Sequence, residues 1–139
     1  ILKNINYKDL TVIVSAVAKE FHEIGALMAA TVFQLNGWKT YFLGSNTPIN
    51  DLLKIIDLKK PNAVALSLTF YINISRLLET IRKINENFPS LKIFVGGQAF
   101  ALGGLDLLSP FNNVKYIPSI KDLDETLKNY ETIFAKKVN

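Results

Sequence analysis

The sequence contains no cysteine. Disulfides, cysteine-ligated zinc, iron–sulfur clusters and a thiol nucleophile are therefore excluded, and the composition fits a cytoplasmic chain. There is one histidine, so the paired histidines of a metalloprotease zinc site are excluded as well. No uninterrupted apolar run approaches the roughly 18 residues that a membrane span needs. The opening residues, Ile1-Leu2-Lys3-Asn4-Ile5, lack the arrangement of a secretory signal. They also lack an initiator Met, and the chain is expected to be a piece of something longer. A Walker phosphate loop is missing. Arginine-rich stripes interleaved with aromatics are missing too: the lysines are scattered, with short clusters only at Lys59-Lys60 and Lys136-Lys137. The net charge of +4 thus reads as solvated helix faces, with no direct nucleic-acid contact by this domain.

What is present is an ordinary globular composition, 49% hydrophobic and 20% charged, over 139 residues. That length suits one domain with a real core, spanning 1–139 with its ordered part at about 11–135. β-Branched and apolar runs at 11–18, 39–43, 63–68, 91–95 and 114–117 predict five strands, several of them buried on both faces. Between them lie helical patterns. Ile24, Leu27, Met28, Thr31, Val32 and Leu35 form a stripe that Asn36-Gly37 ends. Thr47-Pro48 resembles an N-cap before Leu52, Leu53, Ile55 and Ile56, and Pro61 stops that helix. Ile74, Leu77, Leu78, Ile81 and Ile84 mark a third helix. A short one is expected over 100–108, interrupted by Gly103-Gly104. Ser119 and Asp122 resemble a capping box opening the last helix, with Leu123, Leu127, Tyr130 and Phe134 on its buried face. Strands alternating with helices predict an α/β fold: a flavodoxin-like, doubly wound five-stranded parallel sheet, Rossmann-like, with helices on both faces.

Ligands of such sheets bind at the carboxyl ends of the strands. Three features fall there. His22, in Glu20-Phe21-His22-Glu23-Ile24-Gly25, follows the first strand. Glu20 is placed to accept a hydrogen bond from one ring nitrogen, leaving the other for a metal or a proton. By position alone His22 reads rather as a surface histidine in a connecting loop. Ser67-Leu68-Thr69 ends the third strand, with hydroxyls on alternate residues; they face a ligand or satisfy local backbone. Gly96-Gly97-Gln98 ends the fourth, where paired glycines admit a bulky group or merely form a tight turn. In a 2-1-3-4-5 strand order these three ends are adjacent. No nucleophile–His–acid set stands out, so the domain is expected to bind rather than catalyse.

The three elements together resemble the cobalamin-binding domain found in methionine synthase, B12-dependent mutases, corrinoid methyl carriers and B12-based regulators. The resemblance rests on Glu20-Phe21-His22-Glu23-Ile24-Gly25, Ser67-Leu68-Thr69 and Gly96-Gly97, with 45 residues from His22 to Ser67 and 29 from Ser67 to Gly96. It implies cobalamin as cofactor, as adenosylcobalamin or methylcobalamin, bound with its own base displaced and His22 as the lower cobalt ligand. Glu20 would hold the second nitrogen of His22. Ser67, Thr69, Gly96 and Gly97 would line a slot for the displaced nucleotide tail, with room left by Ala26, Ala29 and Ala30. Glu20 in place of the usual Asp, and Thr69 in place of a frequent Leu, are more similar to MerR-type regulators and light sensors. That implies a sensory role, with a helical cap and a DNA-binding domain supplied elsewhere and homo-oligomers among the expected assemblies. The supporting serine of methionine synthase would fall near Asn73. Corrinoid methyl carriers and mutase subunits are the alternative, and a heme sensor of the same fold the second.

Overall fold

The computed structural model describes residues 9–130. Five strands form one sheet: β1 Thr11–Ala16, β2 Lys39–Gly44, β3 Ala63–Ser67, β4 Lys92–Gly96 and β5 Val114–Ile117. All neighbouring pairs are parallel, in the order β2-β1-β3-β4-β5. The helices are α1 Ile24–Leu35, α2 Ile49–Lys59, α3 Ile74–Asn87 and α4 Ile120–Lys128.

Alternation along the strands divides the interior into two layers. Val12, Val14, Ala63, Ala65 and Phe94 face α1 and α4, meeting Ala26, Phe33, Leu123 and Leu127. Ile13, Val64, Leu66, Ile93 and Val95 face α2 and α3, meeting Leu52, Ile56, Leu77, Ile81 and Ile84. Central strands covered on both faces explain why 63–68 reads as a continuous apolar run. β2, at the edge, stays partly exposed.

Four expectations are corrected. The first helix turns the opposite way: α1 buries Ala26, Ala30 and Phe33, while Ile24, Leu27, Met28 and Leu35 are exposed. Close approach to the sheet favours small residues there. The helix expected over 100–108 is instead two short 3-10 turns, Gln98–Phe100 and Leu105–Leu108, separated by Gly103 and Gly104 at φ 132° and 94°. Thr47 does not cap α2. Its hydroxyl lies 2.6 Å from that of buried Ser15, and Pro48 occupies the cap. β1 ends at Ala16 because the chain turns at Lys19, φ 67°. The capping box of α4 is present, with the Asp122 amide donating to the Ser119 hydroxyl at 3.1 Å. Phe134, and the expected core from 131 to 135, lie outside the described residues.

Candidate cofactor site

The site is built where β1 and β3 diverge, the topological switch point of this strand order. After β1 the Glu20 amide donates to the Val17 carbonyl (3.0 Å), closing a turn through left-handed Lys19. Asn46, itself at φ 50°, clamps that turn from the loop after β2. Its amide donates to the Glu20 carbonyl (2.7 Å) and its side-chain oxygen accepts from the Lys19 amide (2.8 Å). The clamp drives the Glu20 side chain inward to 0% exposure. Phe21 and His22 then project outward, the His22 side chain 58% exposed.

Two groups, Asn73 and Phe70, flank the pair. Nδ1 of His22 lies 3.4 Å from Oε1 of Glu20, longer than a good N–H···O bond. The Asn73 amide donates to Oε2 of Glu20 at 3.3 Å. The edge of Phe70 meets the imidazole at 4.8 Å between centroids. Oε1 of Glu20 is buried and has no hydrogen-bond partner among the described residues. An orphaned buried acceptor is costly. A small rotation of His22 that lets Nδ1–H donate to it removes that cost and points Nε2, across the ring, away from the carboxylate.

Beside this cluster a cavity of about 330 Å³ opens between α1, the sheet and the start of α4. Small residues make it. Ser67 and Gly96 are register partners at the ends of β3 and β4, and two residues deeper Val14, Ala65 and Phe94 are partners across β1, β3 and β4. Gly25, Ala26 and Ala29 line the facing side of α1, and Phe33 closes the inner end. A Cβ at Gly25 would sit 3.4 Å from the Ser67 hydroxyl oxygen, narrowing the cavity neck. Gly97 has φ +108°, and a Cβ there would fall 2.1 Å from the Leu68 carbonyl oxygen, so only glycine fits this turn.

Of the residues singled out from the sequence, Gly25, Ser67, Gly96, Gly97 and Gln98 line the cavity. Glu20, Phe21, His22, Glu23 and Ile24 are not on its wall: the first four lie in the segment between β1 and α1, and Ile24 opens α1 just before the lining residue Gly25. Leu68 and Thr69 are not on its wall. Leu68 is fully buried in the opposite layer, and its carbonyl accepts from the Ala99 amide at 3.2 Å. Thr69 lies half-buried beyond the strand end. Ala30 packs in the core below the cavity. The inner wall of Val14, Phe33, Ala65 and Phe94 was not apparent from the sequence. Neither was an exposed apolar rim of Phe70, Tyr71, Ile72, Leu102 and Leu105. The rim is continuous where the Tyr71 ring packs against Gly104, within 2.8 Å of where a Cβ would be. Among the described residues no group of three or more metal-ligating side chains occurs, and no helix is long and apolar enough to cross a membrane.

An open parallel sheet with a narrow slot among its strand ends, and a histidine–carboxylate pair in the loop after the first strand, defines a class of ligand-binding α/β domain. Within that class, the family model for the B12 binding domain matches residues 10–110. The chain belongs to this family. Comparison with curated protein sequences finds no match. Among solved structures the fold is similar to a cobalamin-binding protein from Desulfitobacterium hafniense (TM-score 0.76, 17% identity, 88% of this chain and 60% of that one). It is likewise similar to the methanol:cobalamin methyltransferase complex from Methanosarcina barkeri (TM-score 0.76, 21% identity, 91% and 46%). A third is the monomethylamine corrinoid protein of the same organism (TM-score 0.77, 14% identity, 90% and 59%). The chain thus spans about half the length of these proteins, and identities this low establish the shared fold alone.

Proposed function

We propose that this domain holds cobalamin with the cofactor's own base displaced, His22 acting as the lower cobalt ligand and Glu20 orienting it. The observation that carries this reading is the orphaned Oε1 of Glu20, 3.4 Å from Nδ1 of His22. Metal-bound histidines characteristically donate their second N–H to a carboxylate, which fixes the tautomer and raises the ligand's basicity. A lone histidine also suits a metal that brings its other ligands with it, as cobalt in a corrin does. Asn73 holds the second oxygen of Glu20; in the serine's place it supplies an amide that can only donate to the carboxylate. Phe70 limits rotation of the imidazole. The exposed apolar rim offers a platform for the broad lower face of a corrin, and the slot accepts the displaced tail between Gly25 and Gly96–Gln98.

When bound, the cofactor supplies alkyl-group transfer or cobalt–carbon homolysis; the chain's residues supply attachment, orientation and shielding. Its role is therefore that of a module serving chemistry or signalling seated elsewhere. Glu20 and Thr69 favour the regulatory reading, with adenosylcobalamin, a helical cap and a DNA-binding domain outside this chain. The similar methyltransferase-associated structures favour a methyl carrier as second reading. Retention of adenosylcobalamin with light-dependent assembly supports the first; transfer of a cobalt-bound methyl group to or from a partner supports the second.

The test is an absorbance titration of the domain, in the dark, with hydroxocobalamin and adenosylcobalamin, beside His22→Ala. Wild type is expected to retain cofactor with a histidine-ligated spectrum that the variant lacks. Identical spectra for the two proteins would refute ligation by His22.

A further inference from the structure

The slot's two ends differ in chemistry. Its polar side chains, Ser67, Gln98 and Ser119, all belong to the last residues of strands or the loops just after them. Deeper, the wall is hydrocarbon: Val14, Ala65 and Phe94 in register on the sheet, Ala26 and Phe33 from α1, and Leu123 from α4. Phe33 and Phe94 meet edge to face, centroids 5.8 Å apart, and present aromatic surface at the inner end. None of these six side chains carries a hydrogen-bond donor or acceptor. The adjacent strand backbones are engaged in the parallel ladders.

We propose that this inner wall makes the slot selective for the base at the end of the cofactor's tail. It admits a hydrocarbon-edged bicycle of the dimethylbenzimidazole type and discriminates against a purine. The inference rests on the proposed function, since it presumes a corrin on His22 with its tail in the slot. Dimethylbenzimidazole presents two methyl groups and a carbon ring to Phe33 and Phe94. Adenine presents an exocyclic amine and additional ring nitrogens, which would leave water and find no partner beside Val14, Ala65 or Leu123. Leaving such groups unpaired in a buried site corresponds to a roughly 5- to 150-fold loss of affinity. The specificity-determining residues are then Phe33, Ala65 and Phe94. A larger side chain at Ala29, on the facing wall, should block entry of any base.

Three corrinoids distinguish the parts of this account: cobalamin, its adenine-based counterpart, and cobinamide, which has no nucleotide tail. Each is titrated into the domain, affinity being read from absorbance and lower-ligand identity from the spectrum. Cobalamin is expected to bind at least roughly fivefold more tightly than the adenine form, and more tightly than cobinamide, while all three show histidine ligation. Ala29→Leu should bring cobalamin down to the affinity of cobinamide, with the histidine spectrum kept. Equal affinities for cobalamin and the adenine form would overturn the selectivity and leave His22 ligation standing. Cobinamide binding as tightly as cobalamin would show that the slot takes no base at all. Failure of all three to bind would overturn the cobalamin reading itself.

Discussion

At the scale of single residues, the site depends on positions where only one chemistry fits. Gly97 is one. Its φ of +108° disfavours any side chain, and a Cβ would meet the Leu68 carbonyl oxygen at 2.1 Å, a backbone atom held by the Ala99 amide. Gly103, at φ +132°, faces open space, with nothing within 4 Å. Gly97→Ala should therefore cost clearly more than the ~1–3 kcal/mol of backbone strain alone, while Gly103→Ala should stay within that range. Urea unfolding of the two variants measures the difference. Equal losses would mean that the Gly97 turn relaxes freely. Glu20 is a second such position. It is buried by the Asn46 clamp and held on one oxygen by Asn73, with the other oxygen left for His22. The sequence showed Glu20 and His22 two residues apart but not that one faces inward and the other outward. That division comes from left-handed Lys19 and Asn46, neither of which is a glycine that would have signalled it.

At the scale of elements, α1 teaches the most. Its large apolar residues Leu27, Met28 and Leu35 point outward, while Ala26 and Ala30 pack on the sheet. Substituting Leu27 or Met28 by Lys should change stability by no more than about 0.5 kcal/mol. Ala26→Leu should cost about 1–3 kcal/mol through overpacking. Denaturant midpoints decide, and a large loss for Leu27→Lys would contradict the orientation of the helix. The strands were legible because central parallel strands require β-branched and apolar residues on both faces, as Val12 to Val14 and Ala63 to Leu66 show. The buried face of α1 was not, because alanine carries little hydrophobic signal and close helix–sheet approach selects for size. The 100–108 segment differs for a related reason: its apolar residues have helical spacing, but Gly103 and Gly104 adopt left-handed or extended conformations that split it between two turns of three and four residues. The inner wall of the slot was illegible in principle. Val14, Phe33, Ala65 and Phe94 are distant in sequence and meet only through sheet register and the placement of α1.

At the scale of the whole molecule, the strand order brings the carboxyl ends of β1, β3 and β4 side by side. His22, Ser67 and the Gly96–Gly97 turn, from three separated segments, are thereby brought to one end of the sheet. The family match covers residues 10–110, and the chain spans about half the length of the similar solved structures. The central claim is that a nitrogen of this chain, rather than of the cofactor, sits below cobalt. Electron paramagnetic resonance of the cob(II)alamin complex tests it most directly, with the protein grown uniformly in nitrogen-15 and the cofactor left at natural abundance. Ligation by His22 predicts that the nitrogen splitting becomes a doublet, because nitrogen-15 has spin one-half. A triplet unchanged by labelling the protein would show that the cofactor's own base still holds the metal, and would contradict the account.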